Sequence, residues 1–407
     1  MAGAKSTKME RHLDKDRYWL VCEEICEHYE HYEMSGFKML RVTEINEINR
    51  LVELRDEWNY VLERSRDNHV YLTWEYLSTY VKHYGKEKKL KILYVKDKNK
   101  IIAIAPLRQS RYNFANRFSY NVIEPLAYMH TDYTGFIFAE REVECFRLFL
   151  NHLFEQDDWD FIYLYDIPGT SIIPKLLSKM SKNRPAFELI EGVICPYISI
   201  PSSIDILMKE LSAKFRKNLR RCMKKLQNDY QKVELKRYDE FGSFKESMQA
   251  FFDLHQKRWT LKGKPGVYNS QKSRDFYLDV SELFAGKGWL ALYFLTANDK
   301  PIAVQYCLKY KQKMLYVLGG FDPDFSQYSL GNLILAKVVE KCIEKKIKEY
   351  DLMKGDEPYK FNWAAKYRRN LGFRFVNRKF TSDLYHWGIR TLKQTKMEKI
   401  FGRFLDF

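Results

Sequence analysis

Two strand–turn–strand segments of similar pattern, set far apart in the chain, constrain the fold more than any other feature. The first spans Ile92 to Arg108 (ILYVKDKNKIIAIAPLR), and the second spans Ala291 to Tyr310 (ALYFLTANDKPIAVQYCLKY). In both, apolar residues alternate on either side of a polar turn, which is the pattern of a β-hairpin. An aromatic-rich helical segment precedes each hairpin, and a helix and a further strand follow it. This repeated order predicts two related α/β domains rather than a solenoid.

Length and composition agree with two or three domains that each have a full core. The chain has 407 residues, of which 45% are hydrophobic and 16% aromatic, and one domain takes roughly 100–200 residues. Its 69 Lys and Arg against 53 Asp and Glu give a net charge of +16. This surplus favours anionic partners such as phosphates, acyl-CoA, nucleic acid or an anionic membrane face. A lysine-rich proteome would explain the same charge, so the charge does not choose among them.

Cysteine content and hydropathy indicate a reducing, cytoplasmic setting. The seven cysteines are an odd number, and most lie within apolar patterns, which does not suit a disulfide framework. No apolar run reaches the roughly 20 residues of a membrane span, and the N-terminal residues lack the apolar region of a signal peptide. The sequence therefore predicts a cytoplasmic protein without a membrane span, and it leaves peripheral membrane contact open.

The charged N-terminal segment, residues 1–36, is predicted to be a tail with one short helix. It contains Cys22, Cys26, His28 and His31, which are residue types that bind metals. Their spacing matches no standard zinc pattern, and on a helix the four would not meet on one face. A solvated acidic helix is therefore favoured, and no metal site is predicted.

A long, amphipathic and strongly basic helix is predicted where the two domains meet. Apolar residues recur every three or four positions over 204–230, and Ser202 or Ser203 is a suitable N-cap. The opposite face carries many cations, among which Arg216 and Arg220 are four residues apart and share a face. Arg can hold phosphate oxygens two at a time, so this face could bind an anion. The alternative is a solvated helix face.

The richest chemistry lies in residues 350–367, which read YDLMKGDEPYKFNWAAKY. A strand ends at a glycine, and Asp356, Glu357, Tyr359 and Lys360 follow in a turn before an aromatic, basic helix. Asp356 or Glu357 could accept a proton from an attacking group, and Lys360 could stabilise an oxyanion or bind a phosphate. A salt-bridged structural turn is the alternative. The corresponding strand end of the first half, YDIPGTS, lacks such residues, so only the second half is expected to carry a site.

Two further segments contain candidate site residues. In HQKRW (His255–Trp259) the histidine titrates near neutrality and could act as a general base, although a packed core histidine is the alternative. In GGFDPDFSQYSLGNL a strand ends at paired glycines, and a helix begins near Gly331 or Asn332. A helix N-terminus offers free N–H groups and a positive dipole end to a phosphate, although an ordinary helix cap would look the same.

These segments resemble the GNAT-like acyltransferases of the CelD/BcsL (cellulose biosynthesis) type, which are close in fold to the FemAB-like peptidyltransferases. The resemblance covers nearly all of residues 37–390. It is carried by AKFRKNLRR, by HQKRW with the glycine-containing loop after it, and by a set of residues in the strand and turn already described: Asp351, Leu352, Gly355, Asp356, Tyr359 and Lys360. The strict pyrophosphate signature of GNAT proteins is missing, since only Gln327–Gly331 approximates it.

The resemblance implies an α/β fold of two tandem GNAT-like domains, each with a mixed central sheet flanked by helices. A degenerate first domain would span 37–200, a second domain with the active site would span 201–390, and a tail would follow at 391–407. The implied activity is transfer of an acyl or aminoacyl group from acyl-CoA or aminoacyl-tRNA. The acceptor would be an amine or hydroxyl of an anionic cell-envelope or polysaccharide precursor. No cofactor would be tightly bound, and acyl-CoA would be a co-substrate.

The site residues implied by the resemblance fall into three groups. The catalytic group is Asp356, Lys360, Tyr359 and His255; the substrate-binding group is Arg216, Arg220, Trp259 and Lys366; the group for acyl-CoA is Ser329, Leu330, Gly331 and Asn332. Arg216 is expected to face Asp356 and Lys360 across the cleft. A non-catalytic GNAT scaffold that binds an anionic glycan, nucleotide or nucleic acid is the competing hypothesis. The sequence has no Gly-x-Ser-x-Gly elbow, Walker loop, His-Glu-x-x-His pair or nucleic-acid-binding module.

Overall fold

The computed structural model describes residues 40–87, 89–114, 118–178, 187–364 and 366–377, whose strands form one sheet of 13 strands. The elements of the first half are β1 (Arg41–Ile45), α1 (Ile48–Glu53), α2 (Arg55–Arg64), α3 (Trp74–Tyr84), β2 (Lys89–Asp97), β3 (Lys100–Phe114), β4 (Phe118–Pro125), β5 (Ile137–Phe138), α4 (Glu142–Phe154), β6 (Phe161–Pro168), α5 (Ile172–Ser178) and β7 (Phe187–Ser199). The elements of the second half are α6 (Ile204–Glu210), α7 (Ala213–Asp229), β8 (Val233–Arg237), α8 (Tyr238–Phe241), α9 (Phe244–Leu261), α10 (Gln271–Gly286), β9 (Leu290–Ala297), β10 (Lys300–Tyr310), β11 (Lys313–Phe321), α11 (Leu330–Glu344), β12 (Glu349–Asp351), α12 (Pro358–Trp363) and β13 (Lys366–Val376). The cysteines and histidines of the N-terminal segment, Cys22, Cys26, His28 and His31, lie outside the described residues.

The two predicted hairpins are present as β2–β3 and β9–β10, each antiparallel. Asp97 pairs with Lys100 and Ala297 pairs with Lys300, so each turn has two residues. In the second turn both Asn298 and Asp299 have positive φ, as expected of the two-residue turns that match the twist of a hairpin. Local turn chemistry therefore sets the register of both hairpins.

The strand order is the same in the two halves. From one edge of the sheet the order is β1-β2-β3-β4-β6-β13, and from the other edge it is β8-β9-β10-β11-β12-β7. The fifth strand in each series is parallel to the fourth, because β6 pairs with β4 and β12 pairs with β11 in that sense. The other neighbours along this path are antiparallel. The repeat in the sequence is thus a repeat in topology.

The halves exchange their last strands at the centre of the sheet. β7 of the first half pairs with β12 of the second, and β13 of the second half pairs with β6 of the first. β7 and β13 also pair with each other. The predicted boundary between residues 200 and 201 divides the chain, but the sheet is continuous across it.

Two polar contacts cross between the strand ends at this junction. Tyr133 of the first half donates from its hydroxyl to Asp351 Oδ2 at 2.8 Å. In return, Lys354 of the second half donates from Nζ to Asp166 Oδ2 at 2.9 Å. Asp166 and Asp351 are both buried, so each partner compensates a charge that has been removed from water.

Apolar packing also joins the halves. Aromatic side chains of α3 meet those of α10, and the rings of Tyr76 and Phe276 lie edge to face with centroids 5.7 Å apart. Both residues belong to one hydrophobic core that takes side chains from both halves. The two halves are therefore held together by a core as well as by the sheet.

The single long helix predicted over 204–230 is two helices. Ser203 caps α6, as expected, by accepting from the N–H of Ile206. The helix stops at Leu211, and Ser212 caps α7 by accepting from the N–H of Phe215. The periodic apolar pattern continues through the break, so periodicity alone could not show that one helix ends there and that a second helix begins after Ser212.

We predict that replacing Asp351 with Asn removes a pH dependence of the stability. Burial raises the pKa of the Asp351 carboxyl from 3.8 to about 6, although Arg368 and Tyr133 oppose this shift. The folded protein then binds the proton more tightly than the unfolded chain does. The contribution of Asp351 to the free energy of unfolding is therefore fully present below about pH 4, and it is lost as the pH rises through about 6. The difference is about 3 kcal/mol, at about 1.4 kcal/mol per pKa unit.

Urea unfolding at a series of pH values between about 4 and about 7 measures this effect. The free energy of unfolding of the wild type should fall with rising pH relative to that of Asp351→Asn. Asp205→Asn, at an exposed position of α6, is the matched control and should follow the wild type. Parallel pH profiles for the wild type and Asp351→Asn would contradict the prediction.

Candidate active site

The two parallel strands of the second half separate and form a wedge. They pair only over Lys313–Leu315 of β11 and Glu349–Asp351 of β12. β12 ends there, and the chain turns at Met353, whose φ of 60° is left-handed. β11 continues to Phe321 alongside β10. From Tyr316 onward, the edge of β11 that faces the wedge has no strand partner among the described residues.

Paired glycines allow a helix and a phenol to approach this edge closely. A Cβ at Gly320 would overlap the backbone of His255 in α9, and a Cβ at Gly319 would overlap the hydroxyl of Tyr316. Arg258, one turn further along α9, donates from Nη1 to the carbonyl oxygen of Gly319 at 3.1 Å. The glycines thus bring α9 against β11 and place a guanidinium beside the wedge.

Two phenols and this guanidinium form a connected group. Tyr359 in α12 interacts through its hydroxyl with Tyr316, and Tyr316 interacts with Arg258. Burial is the main cause that raises the pKa of both phenols above the usual value. Both phenols therefore stay protonated at neutral pH and can donate a hydrogen bond or a proton.

Lys360 is a buried structural residue, which corrects its predicted role. Its ammonium donates to the carbonyl oxygens of Met353 at 3.2 Å and Lys354 at 2.8 Å, and it pairs with Glu357 Oε2 at 2.9 Å. An ammonium has three N–H donors, so these partners leave none for an oxyanion or a phosphate. Gly355, with a φ of 129°, lets the turn close around this ammonium.

The two carboxylates of the turn have different surroundings. Asp356 is exposed, and it forms no hydrogen bond or ion pair with another described residue. The Glu357 side chain is 55% exposed and pairs with Lys360. Glu357 also acts electrostatically on Tyr316 and Tyr359, which places its charge near the phenols. Either carboxylate can reach solvent and accept a proton.

His255 does not fit the role of general base that the sequence suggested. Its ring is fully buried, and Nε2 accepts a hydrogen bond from Trp259 Nε1 at 2.8 Å. Burial, helped by the charge of Arg258, lowers the pKa of His255 to about 3. The nitrogen that could accept a proton is therefore occupied, and the ring is a weak base. His255 instead fixes Trp259, whose ring has the ammonium of Lys262 at 5.2 Å.

The start of α11 presents free backbone donors. Ser329 has a left-handed φ of 54°, and its carbonyl oxygen accepts from the N–H of Asn332 at 3.0 Å. The N–H groups of Leu330 and Gly331 have no acceptor among the described residues. A Cβ at Gly331 would meet open space. This end of a 15-residue helix therefore combines unpaired donors with the positive end of the helix dipole.

Three of the segments singled out in the sequence converge on Trp363. Its indole Nε1 donates to Asn332 Oδ1 at 2.9 Å, and its ring meets Phe215 of α7 edge to face at 5.2 Å. α7, the start of α11 and α12 are thus neighbours. The sequence did not single out Trp363, and only its place directly after the turn could have marked it.

The basic candidates on α7 and β13 do not gather in the wedge. Arg216 donates from Nη1 to the carbonyl oxygens of Met208 at 2.8 Å and Leu211 at 2.9 Å, at the C-terminus of α6. This contact corrects its predicted place facing Asp356 and Lys360, because the guanidinium caps α6 instead. Arg220 is exposed on α7. Lys366 is exposed and donates to Ser199 Oγ at 3.3 Å.

Sequence reasoning missed Tyr316 and Arg258, which lie closer to the wedge than several of its candidates. The signal for both was the pair Gly319–Gly320, because adjacent glycines at a strand end indicate a close approach by another element. Within the described ranges there is no group of three or more His, Cys, Asp or Glu that could hold a metal. None of the described helices is long and apolar enough to cross a membrane.

Comparison with known proteins gives this arrangement a family context. Residues 213–361 match the family model described as an acetyltransferase (GNAT) domain. No curated protein matches the chain in sequence. The chain therefore contains an acyltransferase domain of GNAT type, and α7, α9, β11, α11 and most of α12 lie within the matched residues.

Two solved structures are similar to nearly the whole chain. The crystal structure of FemX has a TM-score of 0.57 at 10% identity, covering 85% of this chain and 99% of that one. A conserved protein of unknown function from Bacteroides thetaiotaomicron VPI-5482 has a TM-score of 0.52 at 11% identity, covering 83% of this chain and 100% of that one. At such identities the likeness shows the fold alone. With the repeated strand order, it confirms the predicted α/β fold of tandem GNAT-like halves.

We predict that Lys360→Met destabilises the fold. The substitution removes three donors from a side chain that is 4% exposed, and it leaves the carbonyl oxygens of Met353 and Lys354 without their partner. Each buried group left unsatisfied costs about 1–3 kcal/mol, so we expect a loss of about 3 kcal/mol in urea unfolding. Lys366→Met, at an exposed lysine, should change stability by less than about 0.5 kcal/mol. Equal stability of the two variants would contradict the structural role of Lys360, and Lys360 would again be a candidate for ligand binding.

Proposed function

We propose that the protein transfers an acyl group from acyl-CoA to an amine or hydroxyl of a cell-envelope or polysaccharide precursor. The observation that carries the proposal is a pair of backbone features: the edge of β11 that has no strand partner among the described residues, and the N–H groups of Leu330 and Gly331, which have no acceptor there. A strand edge can pair with the amide groups of an extended pantetheine chain. A helix N-terminus can bind the pyrophosphate. Each of the donor's two polar parts would then have a backbone partner.

The chemistry requires one base and one acid. The acceptor nitrogen or oxygen attacks the thioester carbonyl, and Asp356 or Glu357 takes its proton directly or through water. The tetrahedral intermediate then breaks its C–S bond, and the CoA sulfur leaves. Tyr359 is the candidate acid for this step, because its phenol is protonated at neutral pH and can donate to the departing thiolate. Burial raises its pKa, which favours donation of a hydrogen bond over complete transfer of the proton. Lys360 contributes by holding the turn that carries these side chains.

The charge around the wedge supports an anionic acceptor. Arg258 lies at the β11 edge, and Lys262 and Lys264 stand over the ring of Trp259 at 5.2 and 6.0 Å. Desolvation and the neighbouring cations lower the pKa of Lys262, although Glu357 opposes the shift. An anionic group of the acceptor would relieve this repulsion. The resemblance to the CelD/BcsL type suggests a polysaccharide precursor, and aminoacyl-tRNA is the alternative donor.

We predict that Gly331→Asp weakens binding of acetyl-CoA and CoA by about tenfold or more in calorimetric titration, which corresponds to about 1.4 kcal/mol. The added carboxylate would lie beside the free N–H groups and repel the pyrophosphate. Gly331→Ala is the matched control, because its Cβ enters open space, and it should bind as the wild type does. If Gly331→Asp binds as tightly as Gly331→Ala, the donor is held elsewhere.

We predict that Asp356→Asn and Tyr359→Phe lower turnover more than they lower donor binding. Each keeps the size of the side chain and removes one proton-transfer group, so kcat should fall by about 100-fold while the Kd of CoA stays within about threefold. Thiol release from acetyl-CoA, with glucosamine as an amine probe, measures kcat, and titration measures Kd.

Glu357→Gln tests which carboxylate is the base, since the larger loss identifies it. Wild-type turnover in all three variants would contradict the assignment of this turn as the catalytic centre. A protein that binds CoA but releases no thiol with any amine or hydroxyl probe would favour a non-catalytic scaffold.

A further inference from the structure

One exposed helix face carries uncompensated positive charge. α7 has a row of exposed cations on the side opposite its buried residues: Lys214, Lys217, Arg220, Arg221, Lys224 and Lys225. We call this set the cationic face. Among the described residues, none of the six forms an ion pair with a carboxylate. Their contacts are hydrogen bonds from Arg221 Nη2 to Asn218 Oδ1 at 2.8 Å and to Cys222 Sγ at 3.6 Å, and a cation–π contact of Lys225 with Tyr328.

A second helix of the same half differs from α7 in the pairing of its lysines. On α11, Lys337 pairs with Glu340 at 2.8 Å, and Lys341 pairs with Glu344 at 2.8 Å. Such pairs three residues apart are the usual way in which a solvated helix neutralises its lysines. Asp229, at the C-terminal end of α7, is its single acidic residue and accepts from the hydroxyl of Tyr328. The positive charge of α7 is therefore not neutralised within the helix, whereas that of Lys337 and Lys341 is.

The cationic face is held rigidly. Phe215, Leu219, Cys222 and Leu226 anchor the opposite side of α7 in the core. The six cations then form a band along one side of the helix, about 16 Å long at about 1.5 Å per residue. Because its apolar side is already buried in the protein core, α7 cannot insert into the hydrocarbon region of a membrane. It can only lie flat against a surface of opposite charge.

Exposed apolar side chains lie on the two helices that contact the N-terminal part of α7, which are α6 and α12. Ile206 on α6 is 43% exposed, and Arg216 ties the end of α6 to α7. Phe361 on α12 is 45% exposed, two residues before Trp363, which packs on Phe215 of α7. A nucleic-acid backbone gains little from aliphatic side chains, whereas a lipid interface takes up both cations and apolar groups.

We propose that the cationic face docks the protein on an anionic lipid surface, with Ile206 and Phe361 entering the headgroup region. Four of the six cations are lysines, which act as point charges and need no fixed phosphate geometry. The proposal stands on the charge and shape of α7 and does not depend on the proposed acyl transfer.

Vesicle flotation tests the proposal with the full chain. Phosphatidylcholine vesicles with and without phosphatidylglycerol are the probes, and we expect binding only to the anionic ones, weakened by added KCl. Each Lys near an anionic surface contributes about fivefold to the partition coefficient, so Lys217→Gln/Lys224→Gln should lower it by about 25-fold. Lys337→Gln/Lys341→Gln removes the same charge from α11 and should lower it much less.

Two outcomes would overturn the proposal. Equal losses in the two double variants would mean that only the net charge matters. Binding of bulk transfer RNA that competes fully with the vesicles and is insensitive to Ile206→Ser would assign the face to nucleic acid. Ile206→Ser should instead lower vesicle binding, because it removes an apolar group from the interface without changing charge.

Discussion

Antiparallel pairing between β7 and β13 is the interaction on which the rest of the structure depends. Each strand comes from a different half, so their hydrogen bonds join two sheets of the same strand order into one. The candidate site lies directly beside this seam. The N–H of Leu352 donates to the carbonyl oxygen of Pro196 at 2.9 Å, and that of Gly355 donates to Ile194 at 2.9 Å. A strand of the first half therefore positions the turn that carries the chemistry of the second.

Much of the fold could be predicted from the sequence because its signals are local. The hairpins follow from alternation and from two-residue turns, and the start of α6 follows from the Ser203 cap. The exchange of β7 and β13 could not be predicted, because alternation marks a strand without naming its partner. The break between α6 and α7 was missed for a related reason. The apolar stripe records which side faces the core, and both helices face the same core.

The site was predicted as a set of segments better than as a set of side chains. α7, α11 and α12 do meet, at Trp363. The catalytic roles predicted for Lys360 and His255, and the substrate contact predicted for Arg216, do not fit the structure. The donors or acceptors of these side chains already form hydrogen bonds within the protein. A sequence gives the residue type but not whether Nζ or Nε2 is already occupied. The residues it overlooked, Tyr316 and Arg258, depend on the close approach of α9 to β11 that Gly320 permits.

The central place of β13 has a consequence for how the chain is made. This strand spans residues 366–376, yet it lies between β6 and β7, which are synthesised much earlier. The sheet of the first half therefore cannot close during synthesis until residues 366–376 have emerged. Until then β6 and β7 each expose an unpaired edge, and such edges are the surfaces through which nascent chains associate. The pairing of β13 thus also ends the period in which the first half can associate with other chains through these edges.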